Sequence, residues 1–176
     1  MPDLQAARGA SLTSRRSTRL ALVVGVVGLA VDQLTKVLAV RELTGREPVE
    51  LVGSWFRLLL VRNPGAAFSA GASVTPVISV VAIVATVVVV WQVLKVRHTA
   101  WAVALGLLLA GVTGNLVDRL LRPPGPLRGH VVDFFALPNW PVFNVADICI
   151  NVAGVLLVVL LFRGINPDGT RHEAHR

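Results

Sequence analysis

Two carboxylates, Asp133 and Asp147, stand at either end of an aromatic, proline-broken segment within RGHVVDFFALPNWPVFNVADICIN, residues 128–151. The second lies just inside a run that is otherwise apolar to Phe162. An ionisable side chain within a membrane helix costs about 2.5–3.5 kcal/mol on insertion scales, so it normally faces a polar interior and marks a functional site. Two carboxylates brought together in a partly desolvated place repel each other, which raises one pKa so that a single proton is shared. The charged member can then take a proton from water while the protonated member donates to a carbonyl oxygen or a leaving nitrogen. That is acid–base hydrolysis, and it calls for no metal and no cofactor. The neighbouring His130 has no ligand-like spacing to other donors and reads as a solvated loop histidine, and no serine or cysteine nucleophile has a base nearby.

Other polar residues recur at helical spacing. Asn144, Asp147 and Asn151 fall at i, i+3 and i+7, one stripe on an apolar helix. Helix-to-helix hydrogen bonding accounts for the two asparagines but poorly for the aspartate between them. Gly111, Asn115 and Asp118 share a second face, with Arg119 one turn above Asn115. Asp118 and Arg119 fit an interfacial ion pair with a snorkelling arginine as well as they fit a site, whereas a buried Asn115 amide requires partners. Gly25, Gly28 and Asp32 form a third strip, Lys36 following Asp32 by one turn. A self-neutralising i,i+4 pair explains Asp32 and Lys36 equally well.

The elements that must position these groups are membrane helices. Of 176 residues 54% are hydrophobic and only 15% charged, and mean hydropathy is +0.69. Apolar runs near 20–40, 74–94, 100–121 and 143–162 each approach the roughly 20 residues that cross about 30 Å of hydrocarbon. The expected fold is an all-α membrane protein of four transmembrane helices with a small extracytoplasmic β-like surface loop. That loop is the β-branched and aromatic stretch within 41–73, ending in a turn at Asn63-Pro64-Gly65. Residues 1–18 read as a disordered cytoplasmic arm, 19–163 as the transmembrane domain and 164–176 as a cytoplasmic tail. The second helix, free of charge, reads as lipid-facing scaffold, His98 as solvated, and Cys149 as a small core or lipid-facing thiol.

The charge of +7 is spread over connections between apolar helices, which fits membrane orientation and not nucleic acid. Arg8, Arg15, Arg16, Arg19, Lys95, Arg97, Arg163, Arg171 and Arg176 fall on one side, against Arg41, Arg46, Arg57, Arg62, Arg122 and Arg128 on the other. This bias puts both termini in the cytoplasm. Every polar feature above then converges on the outer leaflet. A transport path would distribute polar groups through the membrane or near its midplane. A proton-coupled transporter or a non-catalytic assembly subunit remain alternatives, but a boundary site favours chemistry on something delivered from the lipid.

At this point five blocks resemble, in order, the signatures of bacterial lipoprotein signal peptidase, signal peptidase II. They are Asp32-Gln33-Leu34-Thr35-Lys36, Asn63-Pro64-Gly65-Ala66-Ala67-Phe68, Gly114-Asn115-Leu116-Val117-Asp118-Arg119, Val131-Val132-Asp133-Phe134 and Phe143-Asn144-Val145-Ala146-Asp147. The resemblance implies an aspartyl endopeptidase of the bacterial inner membrane that removes the signal peptide from a diacylglyceryl-modified prolipoprotein, cutting just before the lipidated cysteine. It implies Asp133 and Asp147 as the catalytic dyad. Asp32, Lys36, Asn63, Gly65, Asn115, Asp118, Arg119, Asn144 and Ala146 match positions that shape the site or hold the substrate's lipid and backbone. It further implies inhibition by the cyclic peptide globomycin. Ala110 departs from the pattern, standing before Gly111 where a second glycine is frequent, which bears on the packing of the third helix.

Overall fold

The computed structural model describes residues 2–65 and 74–171. Its element order is α1 (Pro2–Leu43), β1 (Val49–Val52), β2 (Phe56–Asn63), α2 (Thr75–Lys95), α3 (Thr99–Leu121), β3 (Val131–Ala136) and α4 (Val145–Phe162). All four helices are long and apolar enough to cross a membrane, α1 through its part from Arg15 to Leu43. The molecule is therefore a multi-span membrane protein with the expected helix count.

The arm expected to be disordered over 1–18 is instead helical from Pro2 onward, continuous with α1. Its alanines, leucines, glutamine and arginines favour a helix, and after Pro2 there is no further proline, Gly9 being the one glycine it must accommodate. The last part of this stretch is also held from outside. Ser17 Oγ donates to Arg97 O at 2.7 Å and Thr18 Oγ1 to Val93 O at 3.1 Å. The tail behaves similarly: Pro167 O accepts from Arg97 N and His98 N at 2.9 and 3.0 Å, and Trp101 Nε1 donates to Ile165 O at 2.8 Å. His98, expected to be solvated, is half-buried, and its Nδ1 has no hydrogen-bond partner among the described residues.

Helix α3 is the central helix and packs on α1, α2 and α4. Small residues make the close approach possible. A Cβ at Gly111 would stand 2.5 Å from Ala146 O, and one at Gly114 would stand 2.6 Å from Asp32 Oδ2, so backbone and carboxylate occupy the volume a side chain would need. Ala110 is accommodated from the other side: a Cβ at Gly28 would lie 2.7 Å from Ala110 Cβ. The glycine on α1 supplies the space that Ala110 takes. As the sequence implies, α2 is mostly exposed scaffold, with Thr75, Ser79, Val89 and Val93 buried.

The surface structure is larger than one loop. Strands β1, β2 and β3 form an antiparallel sheet in that order, and β3, which carries Asp133, comes from the second connection. Val61 pairs with Asp133 and Asn63 with Val131, so Asn63 and Asp133 share a face as diagonal neighbours. β3 is pinned from two further sides. Phe143 bridges Phe135, its N donating to Phe135 O at 3.0 Å and its O accepting from Phe135 N at 2.8 Å. Val132 N donates to Asp118 Oδ2 at 3.1 Å.

Candidate active site

Asp133 is 2% exposed, and amides hold both of its oxygens. Asn144 Nδ2 donates to Oδ1 at 2.6 Å and Asn63 Nδ2 to Oδ2 at 2.9 Å. The turn residue fixes the donor: Gly65 N donates to Asn63 Oδ1 at 2.8 Å, leaving the Nδ2 end for Asp133. Gly65 itself has φ +113°, a conformation that favours glycine. Residues 66–68 of that turn lie outside the described residues.

Asp147 occupies the first turn of α4 as half of a capping box with Asn144. Asn144 N donates to Asp147 Oδ2 at 3.1 Å, and Asp147 N donates to Asn144 Oδ1 at 3.0 Å. Asn115 Nδ2 reaches the other carboxylate oxygen at 2.9 Å. Asn144 is thus the hinge between the carboxylates, capping α4 on Asp147 and donating to Asp133. Burial, opposed by the amide from Asn63 and reinforced by the neighbouring Asp147 charge, pushes the Asp133 carboxyl up to about 6.

The site continues inward through Asn115. Its Oδ1 accepts from Asn144 Nδ2 at 3.2 Å and from Lys36 Nζ at 3.0 Å. Lys36 is fully buried and lies 2.9 Å from Asp32 and 2.9 Å from Asp118, both also fully buried. Asp32 reaches α4 through Ala146 N, which donates to its Oδ1 at 2.8 Å. The i,i+4 pair does form, but a second aspartate joins it.

Asp118 and Arg119 do not form the interfacial pair that their adjacency allowed. Asp118 binds Lys36, Arg122 Nε at 2.6 Å and the β3 backbone. Arg119 is 9% exposed, contacts Asn115 O at 3.5 Å, and its buried Nε finds no hydrogen-bond partner among the described residues. Asn151 departs from the stripe: it is exposed and its Nδ2 turns back to Asp147 O at 2.8 Å.

Sequence reasoning missed Arg122, Gln33 and β3. Arg122 follows Asp118 by four residues, and that spacing was the available signal. Gln33 Nε2 donates to Asp32 Oδ2 and Gly114 O, both at 3.1 Å, and nothing in sequence distinguishes it from a lipid-facing polar residue.

A cavity of about 300 Å³ opens beside Asp133, lined by Val61, Arg62, Asn63, Pro64, Pro141 and Val142. A second, of about 340 Å³, lies against Leu38, Leu43, Leu51, Leu58, Phe134 and Phe135 and is apolar. Phe134 follows Asp133 on the strand and therefore points to the other face of the sheet. Among the described residues no three His, Cys, Asp or Glu side chains gather as a metal site would require. The arrangement offers two carboxylates held by neutral amides, a cationic side chain with a donor that no described residue engages, and an adjoining cleft.

Comparison with known proteins bears on what such a site does. The family profile described as signal peptidase (SPase) II matches residues 24–163. The lipoprotein signal peptidase of Rhodococcus jostii is 49% identical over 160 residues, covering 91% of this chain and 80% of that protein. That of Mycolicibacterium smegmatis is 49% identical over 154 residues, covering 88% and 66%. The Streptomyces coelicolor enzyme is 42% identical, covering 90% and 78%. A solved bacterial membrane enzyme superimposes with a TM-score of 0.72 at 25% identity, over 81% of this chain and 92% of its own.

Proposed function

The chain belongs to the signal peptidase II family, a membrane peptidase that removes signal peptides from prolipoproteins, and from that premise we propose that Asp133 and Asp147 are its catalytic pair. The observation that carries this is their shared bridge: Asn144 binds both carboxylates, and among the described residues neither has a cation as hydrogen-bond partner. Asp133, pushed up to about 6, holds the shared proton. Asp147 takes a proton from water as its oxygen attacks the scissile carbonyl, while Asp133 donates to the carbonyl oxygen. On collapse the proton on Asp147 passes to the leaving nitrogen, the C–N bond breaks, and Asp133 recovers its proton from the hydroxyl.

The substrate in this reading is a prolipoprotein whose cysteine already bears diacylglycerol, cut just before that cysteine. Its peptide lies in the cleft beside Asn63 and Asp133, and the unused Arg119 donor meets a substrate carbonyl. Asp32, Lys36, Asp118 and Ala146 support the frame, and Gly65 sets the Asn63 amide. The site lies at the extracytoplasmic leaflet of the bacterial inner membrane, among membrane lipids; the excess of basic residues at the opposite end supports that orientation. A globomycin-type cyclic peptide spanning the cleft would exclude substrate.

The test is cleavage of a synthetic prolipoprotein with and without the diacylglyceryl group, the products read by mass spectrometry. A cut immediately before the lipidated cysteine, blocked by globomycin, is expected. A cut elsewhere, or equal cleavage of the unlipidated peptide, overturns the substrate assignment.

A further inference from the structure

At the end of the bundle away from the dyad lies a cavity of about 540 Å³ lined by Arg16, Ser17, Leu20, Arg97 and Thr99. Arg16 precedes Asp32 on α1 by sixteen residues, about 24 Å along a helix axis at 1.5 Å per residue. The dyad and this cavity therefore face opposite leaflets.

Its chemistry is one-sided. Among the described residues the lining has two arginines and two hydroxyls and no carboxylate. Among the described residues neither guanidinium forms an ion pair, Asp168 being near enough to feel the Arg97 charge without closing on it. The Ser17 hydroxyl is committed to Arg97 O, which fixes α1 against the α2–α3 turn and holds the two arginine-bearing segments together. Thr99 opens α3, where the cap residue supplies no side-chain acceptor.

Beyond the cavity, the face of α1 that carries Arg16 is apolar. Arg16, Leu20, Val23 and Val27 fall at i, i+4, i+7 and i+11 on one face of α1. Val23 and Val27 are exposed and border a shallow depression with Leu22 and Val26. A cationic pocket at the membrane boundary thus shares a helix face with an exposed apolar strip.

We propose that this cavity seats the phosphate headgroup of an anionic phospholipid of the leaflet opposite the dyad, with an acyl chain along Leu20, Val23 and Val27. The two guanidiniums bind the phosphate, as basic pockets between membrane helices do. The site is independent of the peptidase assignment.

Native mass spectrometry of the purified protein in neutral detergent, titrated with phosphatidylglycerol or phosphatidylcholine of matched chains, tests it. At about fivefold per basic residue near an anionic group, wild type should hold phosphatidylglycerol about 25-fold more tightly, and R16A/R97A should lose that preference. The charge-matched R15A/R163A, altered at the same end outside the cavity, should keep it. Equal retention of the two lipids by wild type overturns the proposal. So does equal loss in both double variants, which would mean diffuse attraction. Complete displacement of phosphatidylglycerol by millimolar inorganic phosphate would mean a small-anion site and also overturns it.

Discussion

Two pairs of aspartates share the dyad end of the bundle and are met by opposite surroundings. Asp32 and Asp118 are fully buried and answered by charge, Lys36 standing 2.9 Å from each and Arg122 closing on Asp118. Asp133 and Asp147 are answered by amides from Asn63, Asn115 and Asn144 and by one backbone N–H. Met by Lys36 and Arg122, Asp32 and Asp118 tie α1, α3 and the β3 backbone together. Asp133, held by neutral donors, is pushed up to about 6 by burial first and by the neighbouring Asp147 charge second. Asn115 touches both sets, accepting from Lys36 while donating to Asp147. The difference teaches that the carboxylates set apart for chemistry are those hydrogen-bonded by amides, with Arg119 and Lys36 acting on Asp133 at a distance and not as direct ion pairs.

Substitutions can break that contrast. The largest effect is expected for Asp147→Asn, which keeps an acceptor for the α4 cap but removes the base. Turnover should fall by about 10²–10⁴-fold, the range of general acid–base contributions, with the unfolding midpoint little changed. Lys36→Met should do the reverse. It strands Asp32 and Asp118 without their shared cation, and breaking a buried pair costs about 3–5 kcal/mol, read as a lowered midpoint in a thermal melt. Adding Asp32→Asn and Asp118→Asn to that variant should recover much of the loss; no recovery would mean that Lys36 acts otherwise than as a counter-charge.

Some of this contrast was legible in the sequence. The four spans, the i,i+4 pairing of Asp32 with Lys36, and the polar start of α4 follow from periodicity and the cost of burying charge. The path of β3 was not. Val131, Val132, Phe134 and Phe135 have the β-branched and aromatic character of a strand, but only pairing with β2 and the Phe135–Phe143 bridge show that Asp133 meets Asn144. Arg122 was passed over as a partner for Asp118 for a related reason. Adjacency suggested Asp118 with Arg119, whereas helical geometry puts residue i+4 beside residue i. Asn151 shares the spacing of Asn144 and Asp147 yet is exposed, because a stripe in sequence does not say where the helix face ends.

Two smaller effects sharpen the comparison at its edges. Asn115→Ala removes the donor to Asp147 and the acceptor for Lys36 together, leaving polar atoms of both sets unmet at about 1–3 kcal/mol. Both turnover and midpoint should fall, each by less than in the variants above; loss of only one would mean that Asn115 does not couple them. The pH dependence is subtler. The folded pKa of Asp133 lies above that of an unfolded carboxylate, so its stabilising contribution is full below the ordinary carboxylate range and is lost as pH rises through about 6. Cleavage should decline over the same interval as the shared proton leaves, seen as a basic limb in kcat/KM. A profile flat from pH 5 to 8 would remove Asp133 as the proton holder.

The most direct measurement sets one member of each pair side by side: Asp133→Asn and Asp32→Asn, purified in detergent, assayed for cleavage of a diacylglyceryl prolipoprotein with chelator present and followed by thermal unfolding. The expected result is an Asp133→Asn protein that melts close to wild type and does not cut, beside an Asp32→Asn protein that melts lower and still cuts below its melting point. Continued cleavage by a folded Asp133→Asn protein would contradict the division of labour between the two pairs and remove Asp133 from the chemistry.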